Sequence, residues 1–374
     1  MDLHVVSFQV PYPPSYGGII DVYYKLKALK DAGARITLHT YRYRCDEATE
    51  LSDVADTVHY YKRDTGFGSM LSAKPYIVYS RRNRELLQRL TADRRPILFE
   101  GLYTCLFLDH PALRDRLKIV RTHNVEHDYY RHLAAAGGES LWRRLYYRME
   151  AIKLRHYEPI LRHADAILAI TPADRDYFAS VCPGVNVHWV PCFHDDLPAT
   201  DESGTDPYIL YHGNLSVDEN VRAASYIIDH IMPLASGRYR FIFAGKNPST
   251  TFGNRAKAVG ADLIANPDQA TMDSLISRAR INLLPTFQDT GIKLKLINAL
   301  HLGNGHCVVN TPMLTDSALA GLCTVTDTPS ETMAAIDRLW STPPSAEALD
   351  ERIRYLNTTY NNADNARKII DIIK

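Results

Sequence analysis

Short β-branched runs alternate with helical stretches along this chain, and the alternation occurs twice. No other feature limits the fold so strongly. Parallel strands need a crossover of a dozen or more residues between them, and helices supply it. The first series predicts strands over 3–8, 35–41, 57–61, 97–100, 118–122, 166–170 and 187–190, with helices over 18–31, 82–90, 140–162 and 173–179. A polar segment, 195–207 (DDLPATDESGTDP), has no long apolar run and reads as a linker. The second series predicts strands over 208–212, 240–244, 261–265, 281–284 and 307–309, with helices over 218–231, 270–278, 293–302 and 331–340. The class is therefore α/β, with two Rossmann-like, doubly wound domains in tandem. The expected boundaries are 1–194 and 195–345. Two final helices within 346–374, after Pro343-Pro344, are expected to pack back on the first domain. Ligands of such sheets bind beyond the carboxyl ends of the strands at the topological switch point, so two facing sheets would leave a cleft.

A length of 374 residues, 45% of them hydrophobic, suffices for two cores and disfavours intrinsic disorder. No apolar run approaches the length of a membrane span. The amino terminus (MDLHVVS) lacks the basic and apolar regions of a secretory signal. The 6 cysteines form no CxxC pair and no zinc spacing with histidines, as expected of reduced thiols in a cytoplasmic protein. The 43 basic and 43 acidic residues cancel, which argues against a general nucleic-acid binder. Residues 1–190 carry a net charge of +5 and residues 191–374 a net of −5, consistent with two domains facing different partners.

In the first half, paired glycines (Gly17, Gly18) follow the first strand at the start of a helix, where backbone can approach a ligand closely. GxGxxG is absent, which disfavours a nicotinamide or flavin enzyme. Arg121-Thr122-His123-Asn124-Val125-Glu126 follows an apolar strand, at the place where such a sheet presents side chains. His123 there could bond a sugar hydroxyl or place a reacting oxygen, with Asn124 and Glu126 fixing the loop or accepting hydroxyl protons. The same segment also reads as a capped strand end with a structural histidine. Residues 139–163 carry Arg143, Arg144, Arg148, Lys153, Arg155 and Arg162 among Trp142, Tyr146, Tyr147 and Tyr157, and 76–96 is similarly rich in arginine. Such stretches suit peripheral contact with an anionic membrane, at the inner face of the cytoplasmic membrane, or form solvated faces with aromatics in the core.

In the second half, His212-Gly213-Asn214 and Ala244-Gly245-Lys246 each end a strand in a glycine turn, and Lys246 is placed to meet a phosphate. The segment LPTFQDTGIKLKLINAL (284–300) runs from a strand through a loop into a helix, whose free N–H groups and dipole make an anion site. Lys293 and Lys295 add positive charge to that turn. Successive helix residues diverge, so one of the two is expected to reach the site.

On these residues the sequence resembles retaining, nucleotide-sugar-dependent glycosyltransferases of the GT-B fold, closest to glycosyltransferase family four and its bacterial relatives. The likeness spans nearly the whole chain: Gly17-Gly18, 121–126, Ile170-Thr171-Pro172 with Asp174, His212-Gly213-Asn214, Ala244-Gly245-Lys246, 272–285, and 291–300 followed by Gly303 and Val308-Val309. The resemblance implies hexosyl transfer from a nucleotide diphosphate sugar to a hydroxyl of a glycan or lipid-linked saccharide, with retained anomeric configuration and no metal or other cofactor. It implies that His123 is the catalytic-site histidine beside the donor sugar, and that Asn124 and Glu126 lie on the acceptor side. Donor binding falls to Gly17, Gly18, Gly213, Asn214, Lys246, Thr290, Gly291, Ile292, Lys293, Lys295 and Asn298, with 265–267 near the nucleobase. The family usually places glutamates eight positions apart across this block, where this chain has Thr290 and Asn298. Asparagine can bond a ribose hydroxyl but brings no negative charge. Two other readings share the fold: a non-catalytic sugar-nucleotide-binding subunit, and a sugar-nucleotide 2-epimerase, which needs paired carboxylates around the sugar.

Overall fold

The computed structural model describes residues 1–43, 46–135, 140–195, 205–288, 293–314 and 316–374. The described residues divide into two compact units, one built from Met1–Asp195 with Tyr360–Lys374, the other from 205–288 with 293–359.

The first unit holds a seven-stranded sheet: β1 (Asp2–Ser7), β2 (Arg35–Arg42), β3 (Thr57–Lys62), β4 (Ile97–Glu100), β5 (Lys118–Thr122), β6 (Ala166–Ala169) and β7 (Asn186–Trp189). Their order is β3-β2-β1-β4-β5-β6-β7, with all pairs parallel. Strand side chains alternate faces. Leu3 and Val5 therefore pack into one core with Ile19, Val22 and Leu26, while Val6 packs into the other with Phe99, Val120 and Leu154. Burial on both faces is why these strands read as continuous apolar runs.

The second unit holds a six-stranded parallel sheet: β8 (Asp206–His212), β9 (Arg240–Gly245), β10 (Asp262–Ala265), β11 (Ala279–Leu284), β12 (His306–Val309) and β13 (Thr324–Val325), ordered β10-β9-β8-β11-β12-β13. Each sheet reverses its winding once, between β1 and β4 and between β8 and β11.

The two terminal helices part company, which corrects the expectation that both join the first domain. Helix Ala346–Thr359 packs against helix Leu294–Leu302 in the second unit. The reason is Arg352: its buried guanidinium donates to the carbonyl oxygens of Gly303 and Gly305. Helix Asn362–Ile373 lies on helix Gly17–Asp31 and adds Ala366, Ile369, Ile370 and Ile373 to the first core. Among the described residues no helix is long and apolar enough to cross a membrane.

Candidate functional site

The loop after β1 leads into helix Gly17–Asp31, and the ends of β4 and β5 deliver Glu100 and His123 beside it. A Cβ on Gly18 would lie 3.6 Å from His123 Nδ1 and 3.3 Å from Phe8 Cζ, so the missing side chain leaves that ring nitrogen uncovered. His123 is buried, with Phe8 set edge-on against it at 5.4 Å. Its Nε2 lies 3.2 Å from Glu100 Oε2 and 3.5 Å from Asp21 Oδ2. A carboxylate only accepts hydrogen bonds, so the network places a proton on Nε2; in the neutral ring the lone pair is then on Nδ1.

Beneath His123 is a fully buried charge network. Lys25 Nζ donates to Asp21 Oδ2 (2.9 Å) and to Glu100 Oε2 (2.8 Å). Arg121 grips Asp21 with two bonds, Nε to Oδ2 at 3.1 Å and Nη2 to Oδ1 at 2.8 Å, and also donates to the carbonyls of Val190 and Pro191. Asp21 Oδ1 further accepts the Phe193 N–H at 2.8 Å. Burial works to raise both carboxyls. The Arg121 and Lys25 charges overcome it at Asp21, and Lys25 together with His123 overcomes it at Glu100, so both stay below the ordinary carboxylate range. Asp21, Glu100 and His123 also offer three ligand atoms within 4.8 Å of one another. The Lys25 ammonium stands between two of those oxygens, so a divalent ion would first have to displace it. The set is an ion-paired support for His123, and its carboxylates are turned to cations rather than free for a sugar.

Glu126 opens helix Glu126–Ala135, a helix the sequence pattern did not predict. Its carboxyl is buried and accepts the Tyr103 hydroxyl. Burial pushes its pKa up to about 8, so it is protonated at neutral pH. Three buried side-chain oxygens in this region have no partner among the described residues: Glu100 Oε1, Asn124 Oδ1 and Glu126 Oε1. Arg81 lies close by, its Nε donating to Phe8 O at 2.9 Å and its guanidinium 5.6 Å from the Tyr103 ring centre. It is a buried cation with no carboxylate partner among the described residues, pushed down to about 9 by burial and by Arg63. Arg81 is internal, and Arg82, Arg89 and Arg95 pair with Asp64, Glu85 and Asp93.

In the second unit the loops after β8 and β9 interlock. Gly213 N donates to Ala244 O (3.1 Å) and Leu215 N to Lys246 O (2.8 Å). A Cβ on Gly245 would stand 1.8 Å from Gly213 O, so only glycine fits there. Asn214 Oδ1 accepts from Ser216 N at 3.0 Å and Ser216 Oγ at 2.7 Å, which fixes the turn. Asn220 Nδ2 donates to Asn214 O at 2.9 Å, while its Oδ1 accepts from Lys295 Nζ. Lys295 also reaches Tyr211 Oη at 3.3 Å and lies 5.1 Å from that ring's centre. Burial and the Lys293 charge push the Lys295 ammonium down to about 8. His212, buried beside it, is held neutral, pushed down to about 3 by burial and then by Lys295. Glu219 Oε1 accepts from Thr286 Oγ1 (2.6 Å) and Phe287 N (2.7 Å), tethering the loop after β11.

The structure thus gathers Gly18 with His123, and Gly213, Asn214 and Lys295 through Asn220. Lys246 is exposed at the end of β9, Lys293 Nζ donates to Gln288 O, and Asn298 is half-buried one turn beyond Lys295 on helix Leu294–Leu302. Gly17 begins its helix. Thr290, Gly291 and Ile292 lie outside the described residues. Sequence reasoning missed Asp21, Lys25, Glu100, Tyr211 and Asn220. A signal existed for the first two: charges spaced i,i+4 among Ile19, Val22, Leu26 and Leu29, on the apolar face of one helix.

No protein-family model matches the chain. It is 25% identical over 331 residues, 82% of either chain, to an uncharacterized 44.6 kDa protein in the cps region of Klebsiella pneumoniae. Among solved structures it is similar to a mutant of S. aureus TarM in complex with Fondaparinux, alpha-GlcNAc-glycerol and UDP, at TM-score 0.64 and 7% identity, covering 100% of this chain and 99% of that one. The apo form of the lipopolysaccharide outer core galactosyltransferase WaaB gives 0.62 and 13%, and the OtsA apo structure 0.63 and 13%, each covering 100% of this chain and 99% of theirs. At such identities the likeness carries the fold alone: two Rossmann-like α/β domains of the GT-B type.

Proposed function

We propose that the chain transfers a hexosyl unit from a nucleotide diphosphate sugar to a hydroxyl of a glycan or lipid-linked saccharide, retaining the anomeric configuration and using no metal ion. The observation that carries this reading is Lys295. Its amine is held by Tyr211 and Asn220 beside the interlocked Gly213 and Gly245 turns, at the switch point of the second sheet. With a pKa near 8 it is mostly protonated at neutral pH, and a diphosphate beside it would hold the charge on. Backbone amides of the Gly213–Asn214 turn, Lys246 and the amino end of helix Leu294–Leu302 complete a positive field for the leaving group.

In the first unit His123 Nδ1 is an acceptor for a sugar hydroxyl, oriented by Glu100 and left open by Gly18. Asn124 and Glu126 serve the acceptor side. The departing diphosphate takes the acceptor's proton, so no side chain need act as base. Support comes from proteins of similar fold: one is a galactosyltransferase, and another was solved in complex with UDP. Asn298 favours a second reading, a subunit that binds sugar nucleotide without turnover, because it lacks the usual charge toward ribose.

The test is incubation with UDP- and GDP-sugars and an acceptor panel, with products read by NMR. Transfer with a retained anomeric signal supports the proposal, free epimer indicates a 2-epimerase, and binding without product indicates the non-catalytic subunit. His123→Ala removes one hydrogen bond to the sugar and is expected to cut turnover by roughly tenfold to a hundredfold. Activity within a few-fold of the parent would remove His123 from the site.

A further inference from the structure

Helix Leu141–Tyr157 turns its apolar stripe outward. Glu150, Ala151, Leu154 and Tyr157 face the core, while Leu141 (79% exposed), Trp142 (81%), Leu145 (48%), Met149 (52%) and Ile152 (60%) face solvent. At 3.6 residues per turn, those five side chains share one arc of about 100°. Exposed Met70 and Leu71 adjoin it, since Lys153 Nζ donates to Met70 O at 3.4 Å. Single exposed hydrophobics are ordinary on a protein surface, but a contiguous group of this size marks an interaction site.

The charges at its edges choose the partner. Arg148 and Arg155 border the arc on one side and Lys153 on the other, with Arg143 and Arg144 near the helix start. The helix's acid, Glu150, points inward, accepting from Tyr76 N (2.7 Å) and pairing with Lys153 (3.2 Å). His156 lies within the arc with Nδ1 against Ile152 O at 2.8 Å. An apolar ridge tipped by tryptophan and methionine, with the exposed Arg148 and Arg155 along one border, complements a layer whose headgroups are negative and whose interior is apolar. Long basic side chains can reach headgroups while the ridge enters the acyl boundary.

We infer that the outward stripe of helix Leu141–Tyr157, with Met70 and Leu71, docks this chain on an anionic lipid bilayer. The inference does not depend on the proposed transfer reaction, and its test uses no activity. The purified full chain is sedimented with vesicles of phosphatidylcholine alone or of phosphatidylcholine with phosphatidylglycerol, across a salt series. The chain pellets with the anionic vesicles, less so as salt rises, and stays in solution with the neutral ones. Each basic residue near such a surface contributes about fivefold, so Arg148→Glu with Arg155→Glu weakens binding ~25-fold or more. Leu145→Ser with Ile152→Ser also abolishes pelleting, and thermal melts stay at the wild-type value because all four positions are exposed. Equal partition to both vesicle types, or none to anionic vesicles, overturns the inference. So does a wild-type dimer in size-exclusion light scattering that Leu145→Ser with Ile152→Ser converts to monomer, which would make the stripe a protein interface.

Discussion

Lys25→Met is the sharpest probe of the buried network under His123. The ammonium it removes is within 3 Å of two carboxylates, all three groups being inaccessible to water. Asp21 keeps Arg121 and the Phe193 amide. Among the described residues Glu100 keeps only His123, with Oε1 unpartnered. Breaking a buried pair from one side costs about 3–5 kcal/mol, because it strands a charge. For a unit of this size that is a drop of roughly 6–20 °C in Tm. Two-unit chains need not melt in one step, so the first unit must be followed alone. Trp340→Phe leaves Trp142 and Trp189 as reporters there, the latter with its indole N–H on Ile170 O at 3.0 Å. Adding Glu100→Gln to Lys25→Met removes the stranded charge and should recover about 1 kcal/mol or more, a non-additivity that marks a true coupling. Acid should narrow the deficit. Wild type loses the contribution of its lowered Glu100 as pH falls, whereas the variant gains when that carboxyl takes a proton. A Lys25→Met cost below about 1 kcal/mol, or strict additivity in the double variant, would refute this account of the network.

Other consequences are open to measurement. Glu126 titrates near 8 when folded and in the ordinary range when unfolded, so the unfolded chain releases its proton first and stability falls as pH rises from about 4.5 to about 8. Glu126→Gln should flatten the Tm profile across that window, and an unchanged slope would show that Glu126 is ionised in the fold. Gly245→Ala forces a Cβ into the Gly213 carbonyl and should destabilise the second unit by about 3 kcal/mol or prevent its folding. A variant melting like wild type would mean that the interlocked turns are looser than described.

The strands were legible because a parallel strand buried on both faces has no choice but to be apolar, and every predicted strand agrees within two residues at each end. Thr324–Val325, which was not predicted, is too short to carry a pattern. Helix Glu126–Ala135 escaped notice because its sequence, EHDYYRHLAA, is mostly polar, although Glu126, His127, Tyr130 and Ala134 are buried. Helix Thr250–Ala258 was also missed, although Ser249 caps it by accepting from Phe252 N. At the site, Gly18 and His123 stood out because each follows a strand end. The groups that hold them did not. Lys25 meets Glu100 across 75 positions and Asp21 meets Arg121 across 100, distances over which no local pattern speaks. Lys293 and Lys295 looked alike in sequence. Their different neighbours, Gln288 O for one and Tyr211 with Asn220 for the other, exist only once the turn is folded.

The most direct measurement of the central claim is calorimetric titration of UDP and GDP, with chelator present, into wild type, Lys295→Met and Lys293→Met. The account predicts that one of the nucleotides binds wild type without added metal, that the Lys295 variant loses about tenfold or more (a charge-assisted contact of roughly 1.5–3 kcal/mol), and that the Lys293 variant loses much less. No binding of either nucleotide until a divalent ion is supplied, or an undiminished affinity in Lys295→Met, would contradict it.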